Sequence, residues 1–290
     1  KPMHMQHFYK KFDYVISTDT LVEKIHFFGN EDPKHIAQKS LRVNLSDLAA
    51  MGASPLYYNL SLSLPKLNSN LRIGACVSNP AKFIGIGLNF KDHAEEQNLP
   101  IPTEPIIFSK FTSCITGPND PIIVPKGSTH TDWEVELGVI IGKEAKYISE
   151  SESQSHIAGY CVINDLSERE FQIEHSGQWV KGKSCDTFGP IGPYLVTTDE
   201  VPDPQNLKMW LEVNGKTMQD GSTSTMVYGV NFLISYLSQF MSLQPGDIIS
   251  TGTPPGVGMG MKPQVFLKSG DVMKLGIEGL GEQTQKTIQA

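Results

Sequence analysis

What the chain lacks narrows its chemistry before any motif is weighed. It has no apolar run approaching the roughly 18 residues that cross a bilayer as a helix. It has no basic segment leading into an apolar stretch of the secretory type. Positive charge is scarce: 24 Lys and Arg stand against 31 Asp and Glu, a formal net charge of −7. Nucleic acid and anionic membranes need a basic stripe to hold them, so neither is an expected partner. Only four cysteines occur, Cys76, Cys114, Cys161 and Cys185, and none belongs to a CxxC pair. A zinc-finger site or disulfide framework is not expected; reduced thiols in a cytosolic-type compartment are. The chain opens on Lys1 rather than Met, which reads as a start downstream of the native one. Cytoplasmic residence is the expectation, or mitochondrial residence if a transit peptide precedes Lys1.

With 290 residues, 39% hydrophobic and 19% charged, the chain fits a soluble globular protein of one large or two modest domains. There is no repeat, yet two unlike pieces meet near the polar stretch "PKLNSNLR", residues 65–72. The first piece reads as a strand at 14–20. A helix follows from Pro33, with Ile36, Leu41, Val43, Leu45, Leu48 and Met51 at rough helical spacing and Gly52 as its stop. The alternating "LYYNLSLSLP" reads as a further strand. The second piece is richer in strands. "FIGIGLNF", "DWEVELGVIIG" and "IAGYCVIND" read as strands, and "LKMWLEVNGKTMQ" as a hairpin with a type I′ turn at Asn214-Gly215. "QPGDIIST" and "KSGDVMKLGIEG" each begin a strand, while "HAEEQN" and "GVNFLISYLSQFM" read as helices. Runs of strands with a few helices indicate an α+β fold.

Glu134 and Glu136 stand two apart in "WEVEL", so on a strand both carboxylates leave one face. Either that face is solvated, or the two like charges share a cation. Asp165 closes an apolar strand, where a carboxylate is poorly hydrated unless matched. Ser167 and Glu170 have capping-box spacing for a short helix after it. Three oxygen donors without paired His or Cys favour a hard cation, Mg²⁺ or Mn²⁺, with Ca²⁺ as a further alternative. Arg169 and Gln172 share a helix face with each other. Lys183, in "VKGKSCD", reads on its residues alone as a surface lysine. The loop "TGTPPGVG", 251–258, is either a plain turn or a cradle for an anion, with Thr253 among its donors. It is not a phosphate loop, because no Lys-Ser/Thr follows at the required spacing. His93 and Glu96, three apart on one helix, can form an imidazole–carboxylate pair that activates water; a lone histidine near a helix start is more often structural.

Taken in order, "GLNFKDHAEE", "EPIIFSK", "DWEVELGVIIG", "INDLSEREFQ", "QWVKGKSCDTFGPIGP", "PGDIISTGTPPGVG" and "FLKSGDVMKLGIEGLG" resemble the fumarylacetoacetate hydrolase family, in particular its domain-containing protein 2 group. The resemblance spans about 79–290. It implies a mixed β-roll, a homodimer, and divalent-metal chemistry on a small 2-oxo acid: acylpyruvate-type C–C hydrolysis or oxaloacetate decarboxylation, with oxaloacetate keto–enol tautomerisation as the alternative. By resemblance, Glu134, Glu136 and Asp165 hold the metal. His93 and Glu96 form a catalytic dyad on a lid, and Lys183 is both catalytic and substrate-binding. Arg169, Gln172 and Thr253 bind substrate. Residues 14–65 resemble the start of thiamine-monophosphate kinase, where Asp19 and Asp47 would serve magnesium and nucleotide. The expected layout is thus a short α/β kinase-like segment at 1–70 before a catalytic domain at 71–290. So small a part of a kinase cannot enclose ATP, so no kinase activity is expected; a catalytically impaired chimera is the reading from another class.

Overall fold

Apolar runs dictate strands buried on both faces, and three such runs form the middle of one sheet. The computed structural model describes residues 72–290 and, before them, 5–9, 12–16, 34–35, 38–39 and 41. The chain divides into two compact units, Lys1–Asn68 and Ser69–Ala290.

In the first unit, β1 (Met5–Tyr9) and β2 (Phe12–Ile16) pair antiparallel, with Met5 opposite Ile16. The strand expected at 14–20 is thus present up to Ile16. Helical residues occur at 34–35, 38–39 and 41, inside the expected helix. The strand expected in "LYYNLSLSLP", and Asp19 and Asp47, lie outside the described residues.

In the second unit, β3 (Phe83–Gly87), β4 (Ile106–Lys110), β5 (Ile115–Thr116), β8 (Val135–Ile141), β9 (Ile157–Asn164), β11 (Gly189–Thr197) and β14 (Ile248–Ser250) build a seven-stranded sheet. Its order is β4-β3-β14-β8-β9-β11-β5. β8 is buried along its whole length, and β9 along all but Ala158. Their continuous apolar sequence follows from that burial. A five-stranded sheet, β13-β12-β15-β16-β6, uses β6 (Ile122–Val124), β12 (Lys208–Val213), β13 (Lys216–Ser222), β15 (Val272–Ile277) and β16 (Gly281–Gln289). The β12–β13 turn has Asn214 at φ 52° and Gly215 at φ 76°, both positive as a type I′ turn requires. Mixed sheets with few helices are the α+β class expected.

Helices are short: α1 (Lys91–Glu96), α2 (Arg169–Ile173), α3 (Val180–Lys183) and α4 (Val230–Phe240). None is long and apolar enough to cross a membrane among the described residues. α4 buries Val230, Leu233, Ile234 and Leu237, and its Phe232, Tyr236 and Phe240 continue a ring-on-ring ladder that starts at Tyr228, just before the helix.

Two local expectations are corrected. The strand read through "DWEVELGVIIG" is interrupted: β7 (Thr131–Asp132) ends before Trp133, and β8 begins at Val135. The capping box at Ser167 and Glu170 does not form. Ser167 and Glu168 are extended as β10 (Ser167–Glu168) and pair antiparallel with β7, and α2 starts at Arg169 without a side-chain cap. Ser167 Oγ donates to the Asp165 carbonyl instead. A nonlocal strand pair has taken the backbone that the local cap would have used.

Candidate active site

Strand register assembles the acidic centre. β8 and β9 run antiparallel with Val135 opposite Asn164 and Glu136 opposite Ile163. One step beyond the strand ends, the Asp165 N–H donates to the Glu134 carbonyl at 2.8 Å. Glu134 therefore faces Asp165 across the pair, and Glu136 joins them from two residues further along. One carboxylate oxygen from each of the three lies within 4.8 Å of the others, and all three side chains are buried.

Cations surround two of the three. Lys183 Nζ donates to Glu134 Oε2 at 2.6 Å and to Asp165 Oδ2 at 2.7 Å. Lys110 Nζ donates to Asp165 Oδ1 at 2.6 Å. Arg169 Nη2 lies 2.7 Å from Glu134 Oε1, and its Nε donates to Asp132 Oδ2 at 2.9 Å. Glu136 has no ion-pair partner among the described residues; its Oε2 accepts from Ser250 Oγ at 2.6 Å and from the Gly252 N–H at 2.9 Å. Four buried carboxylates, counting Asp132, thus meet three buried cations.

The electrostatics follow. Burial pushes the Glu136 carboxyl well above the ordinary range, and the Asp165 and Glu134 charges push it further. Burial also pushes Glu134 up, but the Lys183 and Arg169 charges outweigh it and hold Glu134 at about 2. Burial would lower Lys183, yet Asp165 and Glu134 keep it raised. A raised folded-state pKa means that folded Glu136 binds more protons than unfolded above the ordinary 4.5. Its contribution is therefore lost as pH climbs from 4.5. Glu134 has the opposite sign: it stabilises above 4.5 and loses that contribution as pH falls towards 2. Urea unfolding of metal-free protein should show stability falling as pH rises above 4.5 in the wild type and a flatter profile in Glu136→Gln.

The remaining expected residues converge on this centre in part. His93 Nδ1 meets Glu96 Oε2 at 3.1 Å on α1, and Glu96 Oε1 accepts from the Gly256 N–H at 2.9 Å. The loop 251–258 thereby anchors the dyad. Arg169 Nη1 donates to Gln172 Oε1 at 3.1 Å, so these two do share a face. Thr253 Oγ1 is used within the protein, donating to the Val135 carbonyl and accepting from Gln219 Nε2. Lys183 is 2% exposed, which reverses the surface position its local sequence suggested. Gly256 sits at φ +103°, and a Cβ there would overlap the Met218 carbonyl. Gly256→Ala should cost about 1–3 kcal/mol in urea unfolding and release Glu96.

Sequence reasoning missed Lys110, Asp132 and Asn89. Lys110 closes the strand "IIFSK" and is fully buried. Asp132 accepts from the Gly258 and Met259 N–H groups as well as from Arg169. Asn89 spans the Thr251 and Tyr228 backbones just before α1. The one local signal was a lysine at the end of the largely apolar strand "IIFSK".

The fold that holds this centre is that of known enzymes. Residues 82–288 match the family described as fumarylacetoacetate (FAA) hydrolase, C-terminal. Residues 6–100 match the N-terminal domain of AIR synthase related protein, over the stretch that resembles thiamine-monophosphate kinase. A Burkholderia cenocepacia (strain HI2424) protein, provisionally named a hydrolase, is 62% identical over 79% of this chain and 81% of its own. The solved structure of fumarylacetoacetate hydrolase from Exiguobacterium antarcticum is 37% identical with a TM-score of 0.74, covering 80% of this chain and 85% of that one. That of 5-carboxymethyl-2-hydroxymuconate delta-isomerase from Mycobacterium smegmatis is 35% identical with a TM-score of 0.67, covering 76% and 82%. The acidic centre, its cations and its anchored dyad therefore sit in an enzyme that belongs to the fumarylacetoacetate hydrolase family.

Proposed function

We propose that the chain is a divalent-metal enzyme that cleaves a small acylpyruvate-type 2-oxo acid by C–C hydrolysis. One observation carries this reading: a buried cluster of three carboxylates in which Glu136 has no ion-pair partner among the described residues. A buried uncompensated carboxylate is costly, and a hard cation with oxygen ligands removes the cost. Glu134, Glu136 and Asp165 would hold it, and Mg²⁺ fits the all-oxygen donor set best. Bound there, Mg²⁺ would supply charge neutralisation and Lewis acidity.

The chain's own groups supply the rest. Lys183 Nζ has three N–H donors, of which Glu134 and Asp165 take two. The third is available to the 2-oxo oxygen, where negative charge grows as the adjacent bond breaks. Arg169 and Gln172 orient the substrate carboxylate. Thr253, whose hydroxyl is already engaged, keeps the loop in place and offers substrate its remaining acceptor. With Nδ1–H of His93 donated to Glu96, Nε2 is the base that takes a proton from the attacking water.

The delta-isomerase likeness favours a second reading, keto–enol tautomerisation of an oxaloacetate-like acid, in which the same dyad moves a proton and no water attacks. Parallel Mg²⁺-dependent assays on acylpyruvates and oxaloacetate separate the two readings, and decarboxylation as well: cleavage products support hydrolysis, CO₂ release supports decarboxylation, and enol decay alone supports tautomerisation. Because Glu136 must lose its proton to bind a cation, Mg²⁺ uptake should release protons and tighten as pH rises. Calorimetry in buffers of different ionisation enthalpy reads both. The layout is taken as a kinase-like segment at 1–70 and a catalytic domain at 71–290, acting as a homodimer in the cytoplasm. ATP should give the full chain no thermal protection.

A further inference from the structure

Beside the acidic centre lies a second cluster that the reaction does not use. β7 and β10 pair with Thr131 opposite Glu168 and Asp132 opposite Ser167. Directly opposed residues share a face and neighbours along a strand alternate. Glu168 therefore stands on the face away from Asp132, whose carboxylate takes Arg169. The Arg169 N–H donates to the His130 carbonyl at 3.0 Å, which fixes His130 next to the start of α2. Phe266 packs edge-on against the His130 ring, with centroids 4.7 Å apart.

Three side chains converge there. One donor atom each from His130, Glu168 and Glu170 lies within 4.8 Å of the others. Glu170 Oε2 is 3.6 Å from His130 Nδ1, and its Oε1 is 3.8 Å from His175 Nε2. Glu168 is the telling member. It is fully buried, and neither of its carboxylate oxygens has a hydrogen-bond partner among the described residues. Ser128 Oγ and Thr131 Oγ1 lie 2.8 Å apart and either can be the donor, but Ser128 makes no hydrogen bond of proper geometry to Glu168. The large majority of buried side-chain polar atoms in native proteins are hydrogen-bonded, and an unmatched buried carboxylate is costly, so Glu168 calls for a ligand.

We propose that His130, Glu168 and Glu170 form a second cation site, distinct from Glu134, Glu136 and Asp165, that takes a borderline divalent ion such as Zn²⁺ or Mn²⁺. An imidazole with carboxylates is the donor set of such ions, whereas the all-oxygen triad suits Mg²⁺. Glu168 closes the site from inside. His130 and Glu170 are half-exposed and leave a path for the ion and room for water ligands. The ion ties β7 to β10 and α2, the elements that carry Asp132 and Arg169. Its role is to hold the substrate-orienting arginine from behind. This inference stands on its own observations and is independent of what the triad binds.

The test uses the full chain, stripped with chelator and dialysed against Zn²⁺ or, separately, Mn²⁺, with bound metal counted by mass spectrometry. Glu168→Gln and His130→Ala should each hold one ion fewer per chain than wild type, whereas Glu136→Gln should keep the ion at His130. Electron-spin-echo spectra of Mn²⁺ bound to Glu136→Gln should show nitrogen modulation, which His130→Ala added to that variant should abolish together with the ion. His130 is half-exposed, so its alanine variant folds even where Glu168→Gln does not. Metal content unchanged in both His130→Ala and Glu168→Gln would overturn the site, as would an ion in Glu136→Gln without nitrogen modulation.

Discussion

Glu136→Gln is expected to raise the melting temperature of the metal-free protein while abolishing its stabilisation by Mg²⁺ and its turnover. The amide keeps an oxygen for Ser250 Oγ and the Gly252 N–H, so local hydrogen bonds survive. What disappears is a buried carboxyl crowded by Glu134 and Asp165. Relieving such a group is worth about 1–4 kcal/mol in comparable buried ionic clusters. At 100 times its Kd, Mg²⁺ should stabilise the wild type by about 2.7 kcal/mol, and this gain should vanish in the variant. Turnover should fall by about 10²–10³-fold or more. Thermal melts with and without Mg²⁺, beside a product assay, read all three. A variant less stable than wild type without metal would show that Glu136 is there for the fold.

Lys183→Met should do the reverse in the metal-free protein. It removes a cation that two buried carboxylates share at 2.6 and 2.7 Å while keeping much of the side-chain volume. Breaking a buried pair from one side costs about 3–5 kcal/mol, because the partner charges are left unmatched. Mg²⁺ should recover a large part of that stability, since it meets the same charges. It should not recover turnover, because the donor to the growing oxyanion is gone, a loss of about 10²–10³-fold. A melt unchanged by Lys183→Met would mean that Lys183 does not neutralise the cluster. The two variants thus have opposite signs without metal and the same sign in activity, a pattern that general misfolding cannot give.

The residues that announced themselves in the sequence are those whose signal is local. Glu134 and Glu136 are two apart around the start of one strand, His93 and Glu96 three apart on one helix, and Asn214-Gly215 carries its own turn geometry. Lys110, Asp132 and Asn89 were silent because their partners lie across strand registers. Lys110 meets Asp165 only after β4, β3, β14, β8 and β9 have assembled in order. Lys183 looked like a surface residue in "VKGK", and only the family resemblance placed it at the centre. The capping box at Ser167 failed for the same reason in reverse: a sound local pattern lost to the β7–β10 pair. The fold class was legible because apolar runs and turn signals are periodic; the order of strands was not, because nothing local encodes it.

The most direct measurement is calorimetric titration of Mg²⁺ into metal-free full chain and its Glu136→Gln variant, side by side in two buffers. The proposal predicts saturable binding with proton release in the wild type and neither in the variant. Equal Mg²⁺ affinity in the two proteins would contradict the assignment of Glu134, Glu136 and Asp165 as the metal site.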